Sequence, residues 1–153
     1  MEKIYERVEN LLEFIRDQME IMNLDAEQVF LNGNCGNLYK IFVSEFSKFT
    51  TPFLIRYEQK PIHIITKIGE KFYDITGETS LEKYIGYVRE RNSNRVTSFE
   101  DKDFTLEQLS VANPLLNKMC DMYRYNEEYE QSEIDYEMHK LTRLLNGRDE
   151  SHK

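Results

Sequence analysis

An α+β domain is what this sequence predicts, and three observations carry the prediction. Apolar residues at helical spacing dominate the N-terminal part of the chain. A β-branched stretch punctuated by tight-turn residues occupies the middle. Helix-capping signals and helical periodicity then return toward the C-terminus.

The elements follow in order. Ile4, Val8, Leu11, Leu12, Ile15, Met19 and Met22 recur at spacings of three and four, with charged residues between them, and predict an amphipathic first helix. Residues 24–31 are ambiguous. Asn32-Gly33-Asn34-Cys35-Gly36-Asn37 is the strongest turn signal in the chain, because Asn and Gly tolerate positive φ. Leu38, Tyr39, Ile41, Phe42, Val43, Phe46 and Phe49 continue as a second helix, with Asn34 as its N-cap and Cys35 in its first turn. Phe53-Leu54-Ile55-Arg56-Tyr57 reads as a strand, and residues 58–61 as a turn. Residues 62–68 and 71–75 read as two more strands, joined by a type II′ turn at Gly69-Glu70. Thr79 with Glu82 forms a capping box ahead of a helix that carries Tyr84, Ile85 and Val88 on one face. Residues 92–103 read as loop, with a short strand at 96–99 as an option. Thr105 with Gln108 offers a further capping box, and Asn113-Pro114 restarts a helix. Residues 139–147 read as a last helix that Gly147 stops. One domain over residues 1–147 and a frayed tail over 148–153 are therefore expected.

Composition limits the function. The 153 residues include 28 acidic and 20 basic side chains, for a net charge of −8. That balance argues against direct nucleic-acid or anionic-membrane binding, since both need clustered Lys and Arg. Two cysteines, Cys35 and Cys120, make no disulfide framework. The start of the sequence lacks a signal peptide's apolar core, and no run has a membrane span's length, so a cytoplasmic protein is expected.

One constellation has chemical potential. Cys35 opens a helix, where backbone N–H groups and the helix dipole favour a thiolate. His63 and Asp74 lie on the two strands that flank Gly69-Glu70. With a two-residue turn, paired positions sum to 139, so His63, Ile65, Phe72 and Asp74 share one face. Asp74 is then the diagonal neighbour of His63 and able to orient its imidazole toward the thiol. Cys35, His63 and Asp74 are also metal-ligand types, but no closely spaced ligand pair accompanies them. Neither a metal nor a cofactor is expected.

Asn34-Cys35-Gly36-Asn37-Leu38, His63-Ile64-Ile65 and Gly69-Glu70-Lys71-Phe72-Tyr73-Asp74 together resemble the papain-like thiol superfamily, which includes papain-type peptidases, transglutaminase-like proteins and NlpC-like cell-wall peptidases. The resemblance covers roughly residues 28 to 78. It implies a papain-like fold, with N-terminal helices packed on a small antiparallel sheet and C-terminal helices covering the rest. It also implies a catalytic triad: Cys35 as nucleophile, His63 as general base and acid, and Asp74 as orienting residue. Gln28, Asn32 and Asn34 are the oxyanion-hole candidates, together with the backbone N–H of Cys35. The sequence departs from the papain pattern in having no Trp and a short interval between Cys35 and His63. The implied activity is hydrolysis or acyl transfer at an amide or isopeptide-like bond of a peptide or protein substrate.

A second reading comes from the C-terminal part. Residues 126–138 carry six acidic side chains and no basic one. Tyr125, Glu127, Glu128, Tyr129 and Glu130 would present an acidic, aromatic surface to a basic partner. On that reading the protein is a non-catalytic interaction protein, such as a phage-encoded inhibitor of a host factor. Cys120 and His139 read as a packing residue and a solvated one.

Overall fold

A computed structural model describes residues 1–31, 34–91 and 100–121. Helix α1 spans Glu2–Ile21 and buries Tyr5, Val8, Leu11, Leu12, Ile15 and Met19, the stripe that the spacing predicts. It ends at Asn23, whose φ is +61°. The N–H of Leu24 donates to the Met19 carbonyl and that of Asn23 to Glu20, the paired bonds of a Schellman end. The ambiguous stretch forms a short helix α2, Ala26–Leu31. Helix α3, Cys35–Phe46, follows.

The sheet has five antiparallel strands in the order β4-β3-β2-β1-β5. These are β1 (Thr50–Tyr57), β2 (Lys60–Ile68), β3 (Lys71–Asp74), β4 (Gly77–Thr79) and β5 (Phe104–Gln108). Helix α4, Leu81–Arg91, precedes β5, and helix α5, Pro114–Asp121, follows it.

Turn chemistry sets the register. Gly69 has φ +64° and Glu70 does not go positive, as a type II′ turn requires. The pairs Thr66↔Tyr73, Lys67↔Phe72 and Ile68↔Lys71 follow, with the expected sum of 139. A Cβ on Gly69 would also lie 2.8 Å from the Tyr5 hydroxyl. That hydroxyl accepts a 2.9 Å hydrogen bond from the Glu70 N–H, so α1 grips the hairpin from outside. Arg16 of α1 donates to the Ile75 carbonyl at 2.8 Å just beyond β3. The β1–β2 turn rests on Glu58 (φ +47°) and Gln59 (φ +72°), a left-handed pair of the type I′ kind. Its tightness starts β2 at Lys60, and Ile62 becomes the extra residue of a bulge between Ile55 and Arg56 of the partner strand.

Strand alternation gives the two faces different partners. Ile68, Tyr73 and Ile75 pack with α1, α2 and α3. Leu54 and Ile64, on the same face, pack with Cys35 and Tyr39 of α3 and with Leu116 and Cys120 of α5. Ile55 and Ile65 turn the other way and pack with Tyr84 and Ile85 of α4 and Phe104 of β5. Helices therefore cover both sides of the sheet.

Three local expectations are corrected. Residues 104–108, where the capping pattern predicts a helix start, form strand β5: Phe104 alternates inward and pairs with Tyr57, and this pairing overrides the Thr105–Gln108 capping pattern. Thr79 is not a helix cap, because it ends β4 opposite Phe72. The cap falls one residue later, where Ser80 Oγ accepts from the Lys83 N–H at 3.1 Å. Asn34 precedes α3 but makes no side-chain cap. The helix and loop readings at 92–99 and 139–147, and the tail at 148–153, lie outside the described residues. Among the described residues, no helix is long and apolar enough to cross a membrane.

Candidate thiol site

Cys35 is placed by the hinge between α2 and α3. Asn34 is buried, donates from Nδ2 to the Val29 carbonyl at 3.2 Å, and accepts from Asn37 Nδ2 at 3.2 Å. These bonds tie the end of α2 to the first turn of α3. Cys35 is thereby driven down onto β2.

There the sheet has a gap. Pairing of β3 with β2 extends only as far as Thr66↔Tyr73, so the N–H of Ile64 has no β3 partner. Cys35 Sγ takes that bond at 3.3 Å. Sulfur thus satisfies a buried donor that would otherwise cost about 1–3 kcal/mol.

His63 is the next residue along β2, and its ring points to the opposite face. It is 1% exposed. The ring stacks on Tyr84 of α4, with centroids 4.4 Å apart and planes 1° from parallel. Neither Nδ1 nor Nε2 has a hydrogen-bond partner. The expected hydrogen bonds from the imidazole to Cys35 and to Asp74 are therefore not made. Asp74 instead accepts from Thr76, at Oδ1 from both the backbone N–H (2.8 Å) and the hydroxyl. This is an Asx-type turn that closes the β3–β4 corner. Strand parity places Asp74 with Phe72, Ile65 and His63, as the 139 register requires. The structure places the thiol on one face of β2 and the imidazole and carboxylate on the other, and links none of them.

Burial sets the protonation states. The Cys35 thiol is pushed up to about 11, chiefly by desolvation, against hydrogen bonds from the Ile64 and Gly36 backbone that favour the thiolate. The expectation that the helix start would lower this thiol is thus corrected: loss of water outweighs the helix terminus. His63 is lowered to about 3, by desolvation alone. Both groups are neutral at pH 7. Moving the thiol proton onto this imidazole would cost on the order of 10 kcal/mol, at about 1.4 kcal/mol per pKa unit. The site as folded is closed and unionised.

The oxyanion candidates separate. Asn34 has its amide nitrogen committed to Val29. Gln28 lies half-buried on α2, its backbone N–H bound to Asp25 Oδ1 at 3.1 Å. Asn32 lies outside the described residues, as do Tyr125, Glu127, Glu128, Tyr129 and Glu130. Among the described residues no group of three His, Cys, Asp or Glu side chains is placed to hold a metal ion.

Sequence reasoning missed three participants. Thr76 was readable, because Asp-x-Thr after a strand is an Asx-turn signal. Tyr84 was not, since its stacking depends on which face α4 covers. Gly36 reads in the sequence as a turn and motif residue, with no sign that α5 packs directly on it.

Fold and site together define an α+β domain whose Cys–His–Asp set is split by the sheet, with Cys35 packed under α3 on one face and His63 and Asp74 on the face that α4 covers. A family model described as Phage YunG-like protein matches residues 11–112, 102 of the 153 residues and all of the elements that build the set. The chain belongs to the Phage YunG-like family. No curated protein and no solved structure matches it.

Proposed function

We propose that the protein is a cysteine-dependent acyl-transfer enzyme of papain-like arrangement, captured in its closed form. The observation that carries this reading is the imidazole of His63, which is buried with both nitrogens orphaned one residue from the bond to Cys35 Sγ. A purely structural ring at that position would be apolar or hydrogen-bonded, because an unsatisfied buried polar atom costs about 1–3 kcal/mol. Strongly perturbed buried groups are enriched at functional sites.

In the reaction, Cys35 Sγ attacks the carbonyl carbon of an amide or ester. The His63 ring lies on the opposite face of β2 in the closed form, so the open form must bring it to the α3 face before the thiol proton passes through it to the leaving group. A thioester forms on Cys35. Water or an amine then attacks the thioester carbon, and the proton returns to sulfur through His63. The Cys35 and Gly36 N–H groups bond the sulfur and would donate to the oxyanion. Asp74 and Thr76 would steady the hairpin that carries His63.

Hydrolysis of p-nitrophenyl acetate tests this. Cys35-dependent release of p-nitrophenol, with an acetyl group on Cys35 by intact mass and loss of turnover in His63→Phe, supports it. Turnover unchanged by Cys35→Ser overturns it.

Membership of a phage-named family favours a second reading, that of a phage-encoded interaction protein acting on a host factor. Under it, Cys35→Ser leaves function intact, whereas charge reversal at Glu127, Glu128 and Glu130 removes it.

A further inference from the structure

Helix α5 packs over the first turn of α3, beside the thiol. Its backbone rests directly on Gly36: a Cβ there would lie 2.5 Å from the Met119 carbonyl oxygen and 2.7 Å from the Cys120 Cα. Leu116 and Cys120, four residues apart on one face of α5, are 2% and 7% exposed and complete the apolar cluster around Cys35, Tyr39, Leu54 and Ile64. Leu115 and Met119 are half-buried against the same cluster, and Pro114, Asn117 and Lys118 are exposed. Its attachment is short. Leu109 is anchored, its N–H donating to the Pro52 carbonyl at 2.9 Å, but Ser110, Val111 and Ala112 beyond it are exposed. The family match ends at residue 112, immediately before α5 begins at Pro114.

We propose that α5 is a built-in cover that seals the Cys35 thiol in the resting protein and opens it by swinging away about residues 110–113. An element that, among its described residues, buries only two side chains fully and follows three exposed residues is of the kind that opens locally before the whole unfolds. Its departure would return water to Cys35 and uncover Tyr39, Leu54 and Ile64 as an apolar floor beside the sulfur. What the uncovered thiol then does rests on the acyl-transfer reading; the covering itself does not.

The test separates access from chemistry. Gly36→Ala places a methyl group against α5 backbone, which cannot rotate aside, while Ala suits the interior of α3 better than Gly. Iodoacetamide alkylation of Cys35, followed by mass spectrometry on the full-length protein, is expected to run at least tenfold faster in Gly36→Ala than in the wild type, with unchanged far-UV circular dichroism. Leu116→Ala, which loosens α5 without altering α3, should accelerate it similarly and serves if Gly36→Ala does not fold. Equal alkylation rates in wild type and in either folded variant would overturn the cover. Fast alkylation without Cys35-dependent esterase turnover would leave the cover standing and reject the enzyme.

Discussion

Replacing His63 by Phe should make the protein more resistant to acid, and the size of the effect follows from burial. The imidazole is lowered from 6.5 to about 3 by desolvation. A base whose folded pKa is depressed stays unprotonated in the native state while the unfolded chain takes up the proton. Stability is then complete above about pH 6.5 and falls as pH drops toward 3, at about 1.4 kcal/mol per unit. From His63 alone the loss is about 2 kcal/mol at pH 5 and about 5 kcal/mol once pH 3 is reached. Phe retains the stacking on Tyr84 and has no nitrogen to desolvate, so His63→Phe should be more stable than wild type by about 1–3 kcal/mol near pH 7.5. Urea denaturation of both proteins near pH 7.5 and pH 5 reads the difference, and carboxylate titrations common to both cancel. The gap in unfolding free energy should widen by about 2 kcal/mol at the lower pH. Parallel loss of stability in the two proteins would refute a buried, neutral His63.

Cys35 should act at the other end of the pH scale. Its thiol is held up from 9.0 to about 11, so its contribution is complete below pH 9 and is lost as pH rises toward 11, about 3 kcal/mol in all. Cys35→Ala should flatten that alkaline loss in a denaturation series, and at neutral pH it should cost about 1–3 kcal/mol by orphaning the Ile64 N–H. Asp74→Ala strips the acceptor from two Thr76 donors and should lower the unfolding free energy by about 1–3 kcal/mol, read by urea titration. Arg16→Ala removes the bond from α1 to the Ile75 carbonyl and should cost about 1 kcal/mol in the same assay, with native hydrogen exchange increased at the β3–β4 corner.

Much of the fold was legible because local chemistry and tertiary packing agree. The stripe from Val8 to Met19 is the buried face of α1, and Gly69 with Glu70 determined the register that puts Asp74 on the face of His63. Where several patterns fit the same residues, packing decided. Thr105-Leu106-Glu107-Gln108 satisfies a capping box and a strand equally, and the free edge of β1 made it a strand. The three-residue β4 is too short to show a period. The site was legible as residue types and parity but not as chemistry. A thiol at a helix start reads as activated, yet its burial comes in part from α5, which begins 79 residues later in the chain, from Cys35 to Pro114. The partner of His63 was likewise unreadable, because Tyr84 meets it only through the docking of α4 on the far face.

Alkylation of Cys35 against pH in Gly36→Ala, with His63 intact and with His63→Phe, most directly tests whether thiol and imidazole form one site. If they do, the reactivity midpoint falls below about 8 with His63 present and rises toward the ordinary thiol value of about 8.5–9 without it. A midpoint that is the same in both proteins would show that Cys35 and His63 are neighbours in packing only.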